Sequence, residues 1–520
     1  MANKAHDHLH RLIRSMTKAE KRYFKVHSGR HLSDGERRYH RLFDAIAAAE
    51  EYDEAAIIRR FSQEAFTHRF AITKRRLYET VLESLEAFHA EASVDARLGR
   101  MLHEVRILHD RSLYPEAAKV LQSFTRLART HDRQPMLLAA LEWEQRLAER
   151  DGYAHVLPED LERMHQDRLS LDAEVRELND LWELKSRIFL LLYRKGQARD
   201  KDAVDQLHGL LADPLLQDER PLGSVKARYL RDHIRSAAAF ALNDMERCLR
   251  HLQANRALME QEHDRFSAEP QTVLSVLGNL AFVCTTLGRF EEAREHLDAF
   301  RSAPTRWSMP ENEDLDIKLF NTSYSLELGM HLRMGDVDRA LELVPAIERG
   351  LERYGDRIGP LRRAGFLYQL AYAHFMAGRM DAALRWTNRL LDGLRADDAS
   401  DLAAIGRMLY LALLIETGKL DLLPYALRNT ERFLQNRARM YAFEPHFLEL
   451  VRMLGRSTES EERQAALHRF LDQMTTLLRN PLERTVLDQF DAWAWAGGKV
   501  GGRPMAELVR QRMADMTRAA

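Results

Sequence analysis

Along most of this chain, apolar residues recur with the period of an amphipathic helix, and short polar turns interrupt them at near-regular intervals. The clearest stretch is LGRFEEAREHL at 287–297. It reads as the end of one helix, a turn at Gly288–Arg289, and a second helix with the small Ala293 facing inward. Related turns follow in MGDVDRALELV (334–344), AGRMDAALRWT (377–387) and TGKLDLLPYAL (417–427). With the turn residue as anchor, the pattern extends back through Asn243, Gly196 and Ser112, and Gly152 fits loosely. The last four steps are 45, 47, 43 and 40 residues, just under 44 on average, and Ser112 to Asn243 spans 131, three such steps. A helical hairpin restated at a fixed interval predicts an all-α stacked array, in which each hairpin covers the apolar face its neighbour exposes.

The pattern divides the chain into 1–95, 96–480 and 481–520. In the first segment Thr17 and Glu20 form a capping-box pattern that starts a helix through KRYFKVH. A turn at 33–35 and the helix RRYHRLFDAIAAAE follow. After YDEAAIIRRF (52–61), Thr73 is expected to cap KRRLYETVLESLEAFHAE. In the array, Ser308 with Glu311 predicts a helix start between two copies. In the last segment, Asn480, Pro481 and Glu483 predict a helix that ends at Gly497–Gly498. The final helices are expected to cap the array, with one of Trp493 and Trp495 in the core and the other at an edge.

Length and composition agree with a stack. The 520 residues exceed what one core can serve, about 250–300 residues. Gly (24) and Pro (14) are scarce. Lys+Arg 78 against Asp+Glu 79 gives no overall electrostatic case for nucleic acid or membrane. The longest apolar run, MLYLALLI at 408–415, is far shorter than the roughly 20 residues a membrane span needs. The N-terminus lacks the apolar core of a signal peptide, so a cytoplasmic location is expected. Cys248 and Cys284 fall inside helical patterns and read as buried thiols. His6, His8 and His10 do not share a helix face and read as a solvated terminus.

The three clearest turns carry Gly288, Phe290, Ala293; Gly335, Val337, Ala340; and Gly378, Met380, Ala383. This spacing of turn, apolar and small residue resembles the tetratricopeptide repeat (TPR). Ala281 and Ala371 match the small residue the family prefers seven positions before the turn, whereas Leu328 and Leu411 do not. Leu423 replaces the small residue of the fourth copy, and the period exceeds the family's of about 34. The resemblance covers 280–430, and 96–280 by extension. It implies a right-handed α-solenoid with a concave face lined by the first helix of each hairpin. On that face it nominates Asn279, Phe282, Thr322, Arg333, Tyr368 and Tyr372 as the groove for a protein or peptide partner. Tyr368 and Tyr372, four apart, share one helix face. They form either a peptide platform or packing against the next repeat.

Chemistry-bearing motifs are missing. H-E-x-x-H, G-x-S-x-G and the Walker A loop are absent, and GGKVGGRP lacks phosphate-loop spacing. No enzyme activity, cofactor or metal site is expected. The function expected is a non-catalytic binding scaffold. The alternative is a regulator whose N-terminal segment touches DNA. Residues 1–41 hold 11 Lys/Arg against 4 Asp/Glu, and Lys74, Arg75 and Arg76 open a helix after a shorter one, as in a helix-turn-helix.

Overall fold

The computed structural model describes residues 8–28, 34–49, 51–91, 93–150, 152–154, 156–217, 221–393, 401–436, 440–477, 479, 480, 483, 487 and 489–519. It is all-α, with no strand among the described residues. The chain forms two compact units, 1–168 and 169–520, where the sequence pattern drew its boundaries at 95 and 480.

The first unit holds α1 (His8–Ser15), α2 (Lys18–His27), α3 (Asp34–Ala48), α4 (Glu54–Arg60), α5 (Phe70–His89), α6 (Val94–Asp110), α7 (Tyr114–Thr130), α8 (Gln134–Arg150) and the start of α9 (Pro158–Lys195). The Thr17–Glu20 capping box is present in both its halves and starts α2. Thr73 is not a cap. Helix α5 already begins at Phe70, and the buried Thr73 hydroxyl donates to the Phe66 and Arg69 carbonyls just ahead of it. Lys74 therefore lies in the second turn, and its ammonium meets the Glu54 carboxylate at 2.7 Å. Arg75 pairs with Glu79 at 2.9 Å, and Arg76 is exposed. The histidines also differ from expectation. His8 is exposed, but His10 is buried, with Nε2 2.9 Å from the Ala49 carbonyl oxygen. His6 lies outside the described residues.

The second unit continues from α9 with α10 (Lys201–Leu211), α11 (Val225–Ala241), α12 (Met245–Gln261), α13 (His263–Ser267), α14 (Pro270–Thr286), α15 (Phe290–Arg306), α16 (Glu313–Met334), α17 (Val337–Glu342) and α18 (Val344–Tyr354). After these come α19 (Pro360–Met376), α20 (Met380–Gly393), α21 (Asp401–Glu416), α22 (Leu423–Asn436), α23 (Phe443–Arg456), α24 (Ser460–Leu477), α25 (Ala492–Gly501) and α26 (Met505–Ala519). Consecutive helices pack as hairpins, α11 on α12, α14 on α15 and α19 on α20. The first helices also meet in succession: α14 touches α16, α16 touches α19, and α19 touches α21.

The turns explain the hairpins. Ser112, Gly152, Gly196, Asn243, Gly288, Gly335, Gly378 and Gly418 all stand at positive φ, between 59° and 77°. A left-handed residue just past the helix lets the next amide reach back to an otherwise orphaned carbonyl. Arg289 N–H donates to Cys284 O, Asp336 N–H to His331 O, and Arg379 N–H to His374 O, each at 2.9 Å. The small residues Ala293, Ala340 and Ala383 are buried where the two helices cross. Leu423 departs from that rule and its neighbour compensates. A Cβ on Gly455 of α23 would stand 2.3 Å from Leu423 Cδ2, so glycine on one helix makes room for leucine on the other.

Three sequence readings are corrected here. Helix α9 runs unbroken for 38 residues, so the turns at Gly152 and Gly196 share it and the hairpin rhythm lapses. No glycine or proline interrupts it between Pro158 and Gly196. Ser308 closes α15 in the left-handed region at φ 47°, and Asn312 caps α16 instead, accepting from Leu315 N–H at 2.8 Å. The last glycine pair does not end a helix. Gly497 and Gly498 sit within α25, which ends at Gly501 with the left-handed Gly502 as its cap, and a Cβ on Gly498 would lie 2.8 Å from the Arg503 carbonyl oxygen. The Pro481 expected in that helix start lies outside the described residues.

Cys248 and Cys284 are buried free thiols, pushed up to about 12 and about 11 by burial and neighbouring carboxylates. Two histidines are held the other way. His296 accepts from Arg256 Nη1 at 2.7 Å, and His233 stacks on Tyr229 and Phe189. Burial first, then Arg256 for His296 and Lys185 for His233, lowers both to about 4. Both are thus neutral in the folded chain, while an unfolded histidine titrates near 6.5. Their contribution is complete above pH 6.5 and is lost as pH falls toward 4, because the unfolded state then binds more protons. Urea unfolding at pH 7 and near pH 4.5 should differ by up to about 3 kcal/mol per histidine. His296→Gln should flatten that slope, and an unchanged slope would refute its role.

Candidate functional site

The second unit encloses a cavity of about 390 Å³ on the side where the first helices of successive hairpins converge. Phe240 comes from α11, Phe282 and Thr286 from α14, Arg333 from α16, and Tyr368 and Tyr372 from α19. Each of these helices ends in a left-handed turn, which sets where the helix stops and the chain reverses.

Four of the six residues nominated from the sequence line this cavity: Phe282, Arg333, Tyr368 and Tyr372. Phe282 keeps 44% of its surface exposed, with its ring edge-on to Phe240 at 6.0 Å. Arg333 Nη2 donates to the Thr286 carbonyl at 2.7 Å, which ties α16 to the end of α14. The other two lie elsewhere. Asn279 is exposed outside the cavity lining. Thr322 is half-buried, and its γ-methyl stands 3.2 Å from where a Cβ of Gly278 would be, so it fills the α14–α16 crossing.

The tyrosine pair is neither an open platform nor packing against the next hairpin alone. The rings stack at 6.0 Å and 8°, and the chain's own C-terminal segment covers them. The Tyr368 hydroxyl donates to the Gln489 carbonyl at 2.6 Å, and the Asp491 N–H donates to the Tyr372 oxygen at 3.1 Å. Phe490, fully buried between them, meets the rings of Tyr372, Phe375 and Phe447. Burial pushes both tyrosine hydroxyls above their ordinary range, and for Tyr372 the nearby Asp491 adds to this. Both therefore remain hydrogen-bond donors throughout the neutral range.

Asp491 organises this segment. Its Oδ1 caps α25 by accepting from Ala494 N–H at 2.9 Å, and its Oδ2 pairs with Arg512 of α26 at 2.7 Å. Trp495 is buried and donates to Glu416 at 2.6 Å, while Trp493 is partly buried at the margin of the same core. Helix α26 returns to α16, where a Cβ on Gly335 would lie 2.5 Å from the Ala506 carbonyl oxygen. The last helix thus packs on α16, and the segment ahead of α25 packs on α19. Gln489, Asp491 and Arg512 were invisible as site residues in the sequence, because they reach the tyrosines only across 119 residues or more.

The cavity offers aromatic and aliphatic walls, hydroxyl and amide groups, and the guanidinium groups of Arg333 and Arg512. Among the described residues no group of three or more His, Cys, Asp or Glu side chains is placed to hold a metal ion. No described helix is long and apolar enough to cross a membrane. Compared with known proteins, the chain matches no family model, no curated protein and no solved structure.

Proposed function

We propose that this chain is a TPR-like, right-handed α-solenoid acting in the cytoplasm as a non-catalytic scaffold for a protein or peptide partner. The repeated left-handed turns and the succession of first-helix contacts support the solenoid reading. One observation carries the functional part. Side chains from four successive hairpins converge on a single cavity in which Phe282 remains substantially exposed. Cavities of about 300–1,000 Å³ with apolar walls and a few polar groups are the usual form of a binding site.

The geometry narrows what the partner does. The C-terminal segment satisfies the Tyr368 and Tyr372 hydroxyls, so a partner segment enters at the Phe282–Arg333 side. Phe490 alone, fully buried, stabilises that closure by about 2–3 kcal/mol. The DNA reading has less support, since Glu54 and Glu79 offset Lys74 and Arg75.

The test is capture of co-purifying proteins by the full chain, identified by mass spectrometry. Phe282→Glu should lose a partner that the wild type and Tyr368→Phe both retain. Recovery unaffected by Phe282→Glu, with the circular-dichroism melt unchanged, would overturn the assignment of this cavity.

A further inference from the structure

A second recess of the same unit, of about 490 Å³, lies between α10, the turn Pro214–Leu216, α11 and α12. Its charge is one-sided. His208 comes from α10, Arg235 from α11, and Arg247, Arg250 and His251 from α12. The acidic side chain in its lining is Asp244, whose Oδ1 is engaged as the cap of α12, accepting from Arg247 N–H at 3.0 Å. Nearby Asp232 holds His251 Nδ1 at 2.9 Å.

Part of this cationic wall is rigid and part is free. Arg235 donates from Nε and Nη2 to the Leu216 carbonyl, at 2.9 and 2.5 Å, which fixes its plane. Arg247 and Arg250 are exposed and, among the described residues, make no ion pair or side-chain hydrogen bond. Nearby arginines behave differently: Arg256 pairs with Glu260, Arg289 with Glu246 and Arg294 with Glu291. Arg247 also stands in the first turn of α12, where the helix dipole disfavours a cation. Stability therefore gives no reason for these two arginines. Three residues apart, they share a face, and their planar forks match phosphate oxygens. Leu211, Leu216 and Leu242 supply an apolar wall beside them.

We propose that this recess binds a phosphorylated small molecule, with its phosphate on Arg247 and Arg250 and its organic body against the leucines. An extended polyanion fits less well, because the charges converge on one recess instead of forming a stripe.

Titration calorimetry on the full chain tests this, with inorganic pyrophosphate, ATP and adenosine as probes. Pyrophosphate should bind one per chain, ATP at least roughly tenfold tighter, and adenosine alone at least roughly tenfold weaker than ATP. Arg247→Glu with Arg250→Glu should weaken ATP roughly a hundredfold without lowering the melting temperature, since both side chains are exposed and the first turn of α12 favours an anion. Arg339→Glu, at an exposed pair on α17, should leave ATP binding intact. Should the double variant fold poorly, wild-type affinity that falls as salt rises serves in its place. Absent heat with pyrophosphate and ATP, affinity untouched by the double variant, or affinity indifferent to salt would each overturn the site. Equal affinity for pyrophosphate and ATP would overturn the role of the leucines.

Discussion

Arg199→Met is expected to destabilise the second unit by about 3–5 kcal/mol, the cost of breaking a buried ion cluster from one side. Arg199 lies in the connection from α9 to α10 and holds two carboxylates from far along the chain. Its guanidinium meets Glu444 at 2.6 and 3.3 Å and Glu483 at 2.5 Å, over the Tyr441 ring at 4.1 Å. The carboxylates are 3% and 5% exposed. Each also accepts a backbone amide, Tyr441 N–H at 2.9 Å and Ala442 N–H at 3.1 Å. Burial works against the charge on Arg199, but the two carboxylates outweigh it and hold the guanidinium protonated. Without the cation, two buried anions would face each other. The triple variant Arg199→Met, Glu444→Gln, Glu483→Gln should therefore recover most of the loss, because neutral amides carry no such repulsion. Urea unfolding of the full chain decides. A loss below about 1 kcal/mol for Arg199→Met would show that water reaches the cluster and screens it.

The second large effect is expected at Gly350, inside α18. Helix propensity alone favours alanine there by about 1 kcal/mol. Packing opposes it, since a Cβ would fall 2.0–2.8 Å from three atoms of the Phe320 ring. That ring is confined by Tyr354 and Phe366, with centroids 5.4 and 5.5 Å away, and cannot swing aside. Overpacking costs about 1–3 kcal/mol, more where the neighbour is confined, so a net loss of about 2 kcal/mol or more is expected for Gly350→Ala. Phe320→Leu in the same chain should return part of it, and a double-mutant cycle measures the coupling. A melting temperature above wild type for Gly350→Ala would mean that propensity wins.

These two sites show where sequence reading stops. Nothing local to Gly350 demands a glycine, and the Phe320 ring that requires it comes from another helix. Leu423 looked like a defect in the fourth copy until Gly455 was found opposite it. Arg199 carried no motif at all, and its partners are 245 and 284 residues away. The inner-face reading fared in between. Of the residues nominated on the TPR-like pattern, Phe282, Arg333, Tyr368 and Tyr372 line one cavity, whereas Thr322 and Asn279 lie outside it. A phase error of one position is enough to move a side chain from a cavity wall to a helix crossing.

By itself the sequence determined the all-α class, the positions of the turns and the small residues between paired helices. These are local matters: a left-handed residue and an apolar period of 3.6 act within some ten residues of chain. Only the tertiary structure decided what covers the tyrosine pair. Gln489 and Asp491 reach Tyr368 and Tyr372 because the chain folds back after α24 and α26 packs on α16, and no local preference encodes a contact over such a distance. Outside α9 the spacing thus foretold the hairpins, and long-range packing alone settled how much of their first helices stays open.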